Sequence, residues 1–338
     1  MPATGPTGLA GAYPATRLIK AQIGVESTWG SAATATAILH GVLAPTITPA
    51  VKNTAFDENR GSLVSGFLSS QIVNGGTINL PGTCFYEDLM YQLMMSLGTV
   101  NASGSSPYVW TFPGALTTAP SPVIGTLELG DTTSSNGVKI SGCTAQTLSI
   151  TGQQQGELKY TMALFGKTFT ANASLTSLSS YHTPEAVLFP SMAFFMDAAG
   201  GTPGTTAYAG GCYSFQLDIT TGYTPIFAGG SKAPLGFTYA KQEWKLKLGL
   251  FNLTSPALRT SINTNLLGGL PVVCDLKFTS GTKVLEIQFA GRMDSDPAVF
   301  GDQQGAQAFE VQLVGQYDTG TLANQGQVIL TNTQSALP

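Results

Sequence analysis

The chain has 338 residues, of which 43% are hydrophobic and only 10% charged, with a formal net charge of −4. A typical soluble domain is about a quarter charged, so much of this surface is expected to lie against other copies, since free monomers lean on charge to stay apart. The acidic balance excludes a basic face for nucleic acid. Apolar runs such as Met192–Met196 are too short to span a bilayer.

Met1–Thr16 is Gly/Pro/Ala-rich and carries no positive charge ahead of an apolar stretch, so it reads as a flexible arm and not a secretory signal. Arg17–Gly24 alternates as a strand. A strand near Ala37–Leu43 leads into a polar loop around Asn53–Gly61, and the chain returns as Gln71–Leu80. Phe85, Leu89, Leu93 and Leu97 stand at helical spacing and predict a helix over Cys84–Leu97. Tyr108–Phe112 and Val123–Leu129 are predicted strands. Asn136-Gly137 is a hairpin turn leading into Val138–Ile140 and on through Leu148 and Ile150, and Leu158, Tyr160, Met162 and Leu164 form the next strand.

Thr168–His182 is a polar Ser/Thr/Ala stretch and reads as a linker. Leu188–Met196 opens the second domain. Tyr213–Thr220 is a strand with Tyr213, Phe215, Leu217 and Ile219 on one face. A Gly/Pro/Thr loop, Thr221–Ala240, follows. Glu243–Phe251 then places Trp244, Leu246, Leu248 and Leu250 on one face. Ser255-Pro256 opens a short helix to about Leu267, which Gly268-Gly269 stops. Val272–Phe278, Leu285–Phe289 and Phe309–Tyr317 are further strands, and Thr319–Pro338 is a polar tail with one apolar patch, Val328–Leu330.

The fold class is therefore mainly β: two tandem antiparallel sandwiches or barrels, each flanked by one short α-helix. The boundaries are an arm at 1–16, a first domain at 17–170, a linker at 171–186, a second domain at 187–318 and a C-terminal arm at 319–338. The order strand, long polar loop, strand, helix occurs once in each domain, which marks a building block of something symmetric. A second similarity runs out of frame: Gly142-Cys143 through Phe165 matches Gly211-Cys212 through Phe251 in part. Two hairpins of period two also match by chance, so the element order is the better guide. Few lysines guard the strand edges, which leaves them open to pairing across subunits.

Residues for catalysis are sparse. His40 and His182 are the two histidines, and neither sits in a motif. A nucleophile elbow, a P-loop and a zinc-protease helix are missing. No catalytic, cofactor or metal residue is assigned, and an enzyme is not expected. Asp294, Asp296 and Asp302 share one loop, but Pro297 and the lack of a bidentate glutamate break the calcium-loop pattern. Cys84, Cys143, Cys212 and Cys274 lack CxxC spacing and read as buried free thiols, in keeping with folding in a reducing cytoplasm. The densest charge cluster is Asp57-Glu58-Asn59-Arg60-Gly61. On a chain this poor in charge, Phe56, Asp57, Glu58, Asn59, Arg60, Gly61 and Leu63 are the candidate contact loop between copies.

The segment Phe56–Leu63, the helix after it, Tyr108-Val109-Trp110-Thr111-Phe112 and the run Val138–Gly142 through Phe165-Gly166-Lys167 resemble bacteriophage tail tube proteins. Ile23-Gly24-Val25-Glu26-Ser27-Thr28-Trp29-Gly30 also resembles their N-terminal pattern. The similarity covers most of the first domain and is weaker in the second, whose loop Thr221–Ala240 lacks the acidic cluster. The resemblance implies a structural virion protein in the phage tail, folded and assembled in the host cytoplasm. Two tube domains per chain imply trimeric, pseudo-hexameric rings stacked into a tube. The tube meets tail terminator, tail tip and tape measure proteins, and DNA passes through its lumen without specific binding. No membrane and no cofactor are implied. The rival readings are another virion part (a capsid decoration or tail terminator protein) and a carbohydrate-binding β-sandwich, which needs exposed aromatics grouped on one face.

Overall fold

A computed structural model of the chain describes residues 19–50, 52–55, 69–73, 75–131, 137–179, 183–209, 211–251, 264, 268–294 and 301–337. The first half contains β1 (Ile19–Val25), β2 (Ala37–Ile38), β3 (Thr46–Pro49), β4 (Lys52–Ala55), β5 (Ser69–Val73), β6 (Gly76–Thr83), α1 (Leu89–Leu97), β7 (Tyr108–Pro113), β8 (Gly125–Asp131), β9 (Gly137–Gln153), β10 (Lys159–Gly166) and β11 (Thr168–Ala173). The second contains β12 (Met192–Ala198), β13 (Cys212–Thr220), β14 (Tyr223–Ile226), β15 (Gly236–Tyr239), β16 (Glu243–Phe251), β17 (Val272–Ser280), β18 (Lys283–Met293), β19 (Gly301–Gln303), β20 (Ala306–Gly315) and β21 (Gly326–Asn332). Apart from residue 264, the predicted second helix lies outside the described residues, as does the contact loop Phe56–Leu63.

The antiparallel pairings repeat. In the first half β1 pairs with β8, β8 with β9, and β9 with β11, while a second row runs β3–β6–β10–β9. In the second half β12 pairs with β17, β17 with β18, and β18 with β21, while a second row runs β13–β16–β20–β18. Each neighbour relation recurs, and so does the hairpin after the first strand of each row, β4–β5 and then β14–β15. The strand part of the doubled element order is thus present in the pairing itself. The out-of-frame match is not: β9–β10 and β13–β16 are neighbours in one row, joined where β13 pairs with β9, and are not counterparts.

The halves share more than that seam. β7 of the first half pairs with β21 near the C-terminus, from Gln327↔Pro113 to Asn332↔Tyr108. The expected C-terminal arm therefore contains a core strand. Val328 and Leu330 are fully buried, and β21 lies between β18 and β7. The expected linker opens with β11, which is extended and hydrogen-bonded to β9. The expected loop Thr221–Ala240 contains the β14–β15 hairpin.

Alternation builds the core. Phe215, Leu217 and Ile219 of β13 and Trp244, Leu246, Leu248 and Leu250 of β16 turn inward, while Gln216, Asp218, Lys245 and Lys247 turn out. All nine residues of α1 are buried, including Gln92 and Ser96 on one face of an otherwise apolar helix. The helix starts later than its spacing predicts because the preceding residues are bound elsewhere. Cys84 N–H donates to Leu158 O at 2.8 Å, Tyr86 N–H to Glu185 O at 3.1 Å, and Asp88 accepts from His40 N–H at 2.8 Å. All four cysteines are free and buried, and burial raises their thiols, that of Cys212 to about 12.

Candidate functional site

The row β3–β6–β10–β9–β13–β16–β20 has one face on the core and one face outward. Cross-strand neighbours on the outward face include Pro81, Thr161, Ser149, Asp218 and Lys245 in successive strands. The first half of this face is neutral apart from Lys159, carrying Thr77, Asn79, Thr147 and Thr151. The second half carries Asp218, Glu243 and Glu310 against Lys245 and Lys247, and Lys247 Nζ lies 2.7 Å from Glu310 Oε2. No stretch of uncompensated positive charge crosses it. Among the described residues β3 pairs only with β6, and β19, which follows β20 beside β18, pairs only with β20.

A second feature locks the corner between β1, β8 and β9. Glu26 is 7% exposed. Its Oε1 accepts from the Thr126 hydroxyl at 2.6 Å and from Gly142 N–H at 2.7 Å, and its Oε2 accepts from Gly30 N–H at 2.7 Å. The Trp29 indole N–H donates to Gly142 O at 3.2 Å, and Lys167 Nζ sits 4.5 Å from the centre of the Trp29 ring. Gly142 has φ +69°, and a Cβ there would come within 2.8 Å of the Lys167 side chain. Glycine is therefore required at the point where β9 changes partners. The β14–β15 hairpin packs on this corner. Phe237 lies edge-on to Trp29 and Phe165, with centroids at 6.0 and 6.4 Å, and Tyr223 Oη donates to Pro120 O at 2.8 Å.

The repeats differ in one buried charge. Glu128 faces Lys139 across β8–β9, and Asp275 faces Gln288 at the matching place across β17–β18. Burial works to raise the Glu128 carboxyl, but the Thr176 N–H, Lys139 at 3.1 Å and the Thr176 hydroxyl together hold it below the ordinary range. Asp275 is 3% exposed, and its Oδ1 has no hydrogen-bond partner. Burial, and then the neighbouring Glu286 carboxylate, push it up to about 8. Its folded pKa lies above the unfolded one. The native state then holds a proton that the unfolded chain releases, and this contribution to stability fades as pH climbs from about 4 towards 8. Gln288→Lys should supply the missing cation, flatten that slope and add about 1–3 kcal/mol at pH 8. Urea midpoints at pH 5 and pH 8 check this, and a variant with the wild-type slope refutes it.

Residues for chemistry do not converge. His40 Nδ1 lies 2.9 Å from Asp88 Oδ2, with the pair built into the turn before α1. His182 and Asp296 lie outside the described residues. Asp294 accepts from the Gln312 side chain, and Asp302 closes its own turn by accepting from Gly305 N–H at 3.0 Å. Among the described residues no group of three His, Cys, Asp or Glu is placed to hold a metal, and no helix is long and apolar enough to cross a membrane. Trp110 and Trp244 are buried and Trp29 lies under Lys167, so the tryptophans do not make an exposed aromatic face. Sequence reasoning singled out the Glu26–Gly30 stretch but not what Glu26 does. The available signal was a carboxylate directly after an apolar strand and four residues before a glycine.

A family model described as Phage tail tube protein matches residues 16–251. No curated protein matches the chain.

Proposed function

We propose, because this chain belongs to the phage tail tube protein family, that it closes into rings through the free edges of its long row and that the rings stack into the tail conduit. The family gives the chain a structural role in the virion tail. The finer reading rests on one observation: a row of strands doubled within the chain, polar and charge-balanced outside, and open at β3 and β19. The β9–β13 seam joins the last strand of one repeat to the first of the next, and a copy-to-copy seam needs the same join between the β18–β19 end and β3. Three chains, each with one repeat in either half, supply six repeats and a pseudo-hexameric ring. The outward polar face becomes the lumen wall. Its balanced charge suits DNA in transit, because rows of Lys or Arg would hold phosphates by counterion release. Tail terminator, tail tip and tape measure proteins are the expected end and lumen partners.

Electron microscopy of the purified protein tests this. Rings or tubes about six repeats round support it, and a stable monomer at high concentration overturns it. Within the same reading, Phe56, Asp57, Glu58, Asn59, Arg60, Gly61 and Leu63 bridge successive rings. Each exposed ion pair there is worth roughly 0–1 kcal/mol, but repetition along a tube multiplies it. Replacing Asp57, Glu58 and Arg60 together by Ser should leave the circular dichroism unchanged and shorten the tubes, and added salt should shorten wild-type tubes likewise. Full-length tubes from the triple variant would remove the loop from the stacking contact.

A further inference from the structure

The internal repeat gives each half a hairpin after the first strand of its row, β4–β5 and β14–β15. β14–β15 springs from β13 and lies back over its neighbours, so that Phe237 reaches Phe165 on β10, two strands beyond β13 in the row β13–β9–β10–β6. β4–β5 springs from β3 in the same way, but β3 is the end of the row. Two and three strands beyond it are β20 and β16 of another copy, if the row continues as proposed above. The chain's own β16 is five strands from β3, roughly 24 Å at ordinary strand spacing.

A groove of about 610 Å³ stands beside the start of β16 and the end of β20, walled on one side by the loop after β7. Gln242 immediately precedes β16 as Gly75 precedes β6, and Tyr317 follows β20 at the spacing by which Thr168 follows β10. The groove is lined by Leu116, Tyr239, Gln242, Tyr317 and Gln325 among others. Leu116 and Tyr317 are more than half exposed. Tyr239 Oη and Gln242 Nε2 are buried without hydrogen-bond partners, a cost that a seated polar segment removes. The occupant matches in kind. β15 brings Phe237 to an aromatic corner, whereas the register positions of Phe237 and Thr238 are held in β5 by Ser70 and Gln71, residue types suited to a groove with an unpartnered amide and phenol.

We propose that this groove receives the β4–β5 hairpin of the adjacent chain within a ring. The inference rests on the tube reading, and the experiment separates the two. Ser69→Cys with Tyr317→Cys should give intermolecular disulfides in a ladder under mild oxidation, while either single variant and Ser69→Cys with Lys159→Cys should not. Leu116→Ser with Tyr317→Ser should keep the wild-type circular dichroism and reduce the assembled fraction at least about tenfold. Tubes that form normally from the groove variant, or assembled protein whose Ser69→Cys/Tyr317→Cys form does not cross-link above the controls, overturn the seat and leave the tube reading standing. A chain that never assembles overturns both.

Discussion

Glu26→Ala is expected to lower folding stability by roughly 2–5 kcal/mol, since it strands three buried or half-buried donors that have no other acceptor in place. The loss falls on Gly30 N–H, Gly142 N–H and the Thr126 hydroxyl together. Thr126 Oγ in turn accepts from Ala33 N–H at 2.9 Å, so the loop between β1 and β2 loosens with it. Glu26→Gln should fall between: one oxygen remains, but the new NH₂ is set against an N–H donor. Urea denaturation of the unassembled chain measures both. A loss under 1 kcal/mol for the alanine variant would mean that water replaces the carboxylate at no cost, and the corner is not locked as described. Because β14–β15 packs on the same corner through Trp29, the β9–β13 seam should open to proteolysis in the variant as well.

Trp244→Ala should cost about 3–5 kcal/mol, the range for emptying an aromatic site in a core. Trp244 is 1% exposed and spans three strands. A Cβ on Gly326 of β21 would lie 2.8 Å from its ring and one on Gly315 of β20 3.1 Å from its Cβ, so both strands approach as closely as glycine allows. Its indole N–H donates to Gln242 Oε1 at 2.9 Å, and the same oxygen accepts from Ala115 N–H at 2.7 Å. Trp244→Phe keeps most of the packing and removes one donor, so about 1–2 kcal/mol is expected. Equal losses for the two variants, read from denaturant midpoints and slopes, would show that the hydrogen bond and not the ring volume dominates. Gly326→Ala should destabilise too, although it adds apolar surface, because the new methyl has nowhere to go.

Much of this fold was legible from local pattern. The inward sets Phe215–Ile219 and Trp244–Leu250 follow from period two alone, and the strands of the doubled order reappear in the pairing. What local pattern does not carry is the partner. Val328–Leu330 reads as a lone apolar patch among Gln and Thr, and only its bonds to β18 and β7 make it a central strand. β14 and β15 are short, broken by Pro225 and separated by glycines, so aromatic packing and not propensity defines them. The candidate surfaces divide the same way. An acid after a strand is visible in the sequence, but the backbone donors that make Glu26 a staple are supplied by residues up to 116 positions away. Nothing local distinguishes Asp275 from any other strand acid; only the pairing sets Gln288 where its counterpart has Lys139.

The pairing of β7 with β21 also fixes when the protein can finish forming. Synthesis delivers β7 more than two hundred residues before its partner, and Trp110 waits as long for Gln334 O, to which its indole N–H donates at 3.1 Å. Until the last strand leaves the ribosome, the first half keeps an unsatisfied edge, and a contact so distant in sequence is slow to close. A chain cut short by a nonsense codon or a protease lacks β21 and cannot cover that edge.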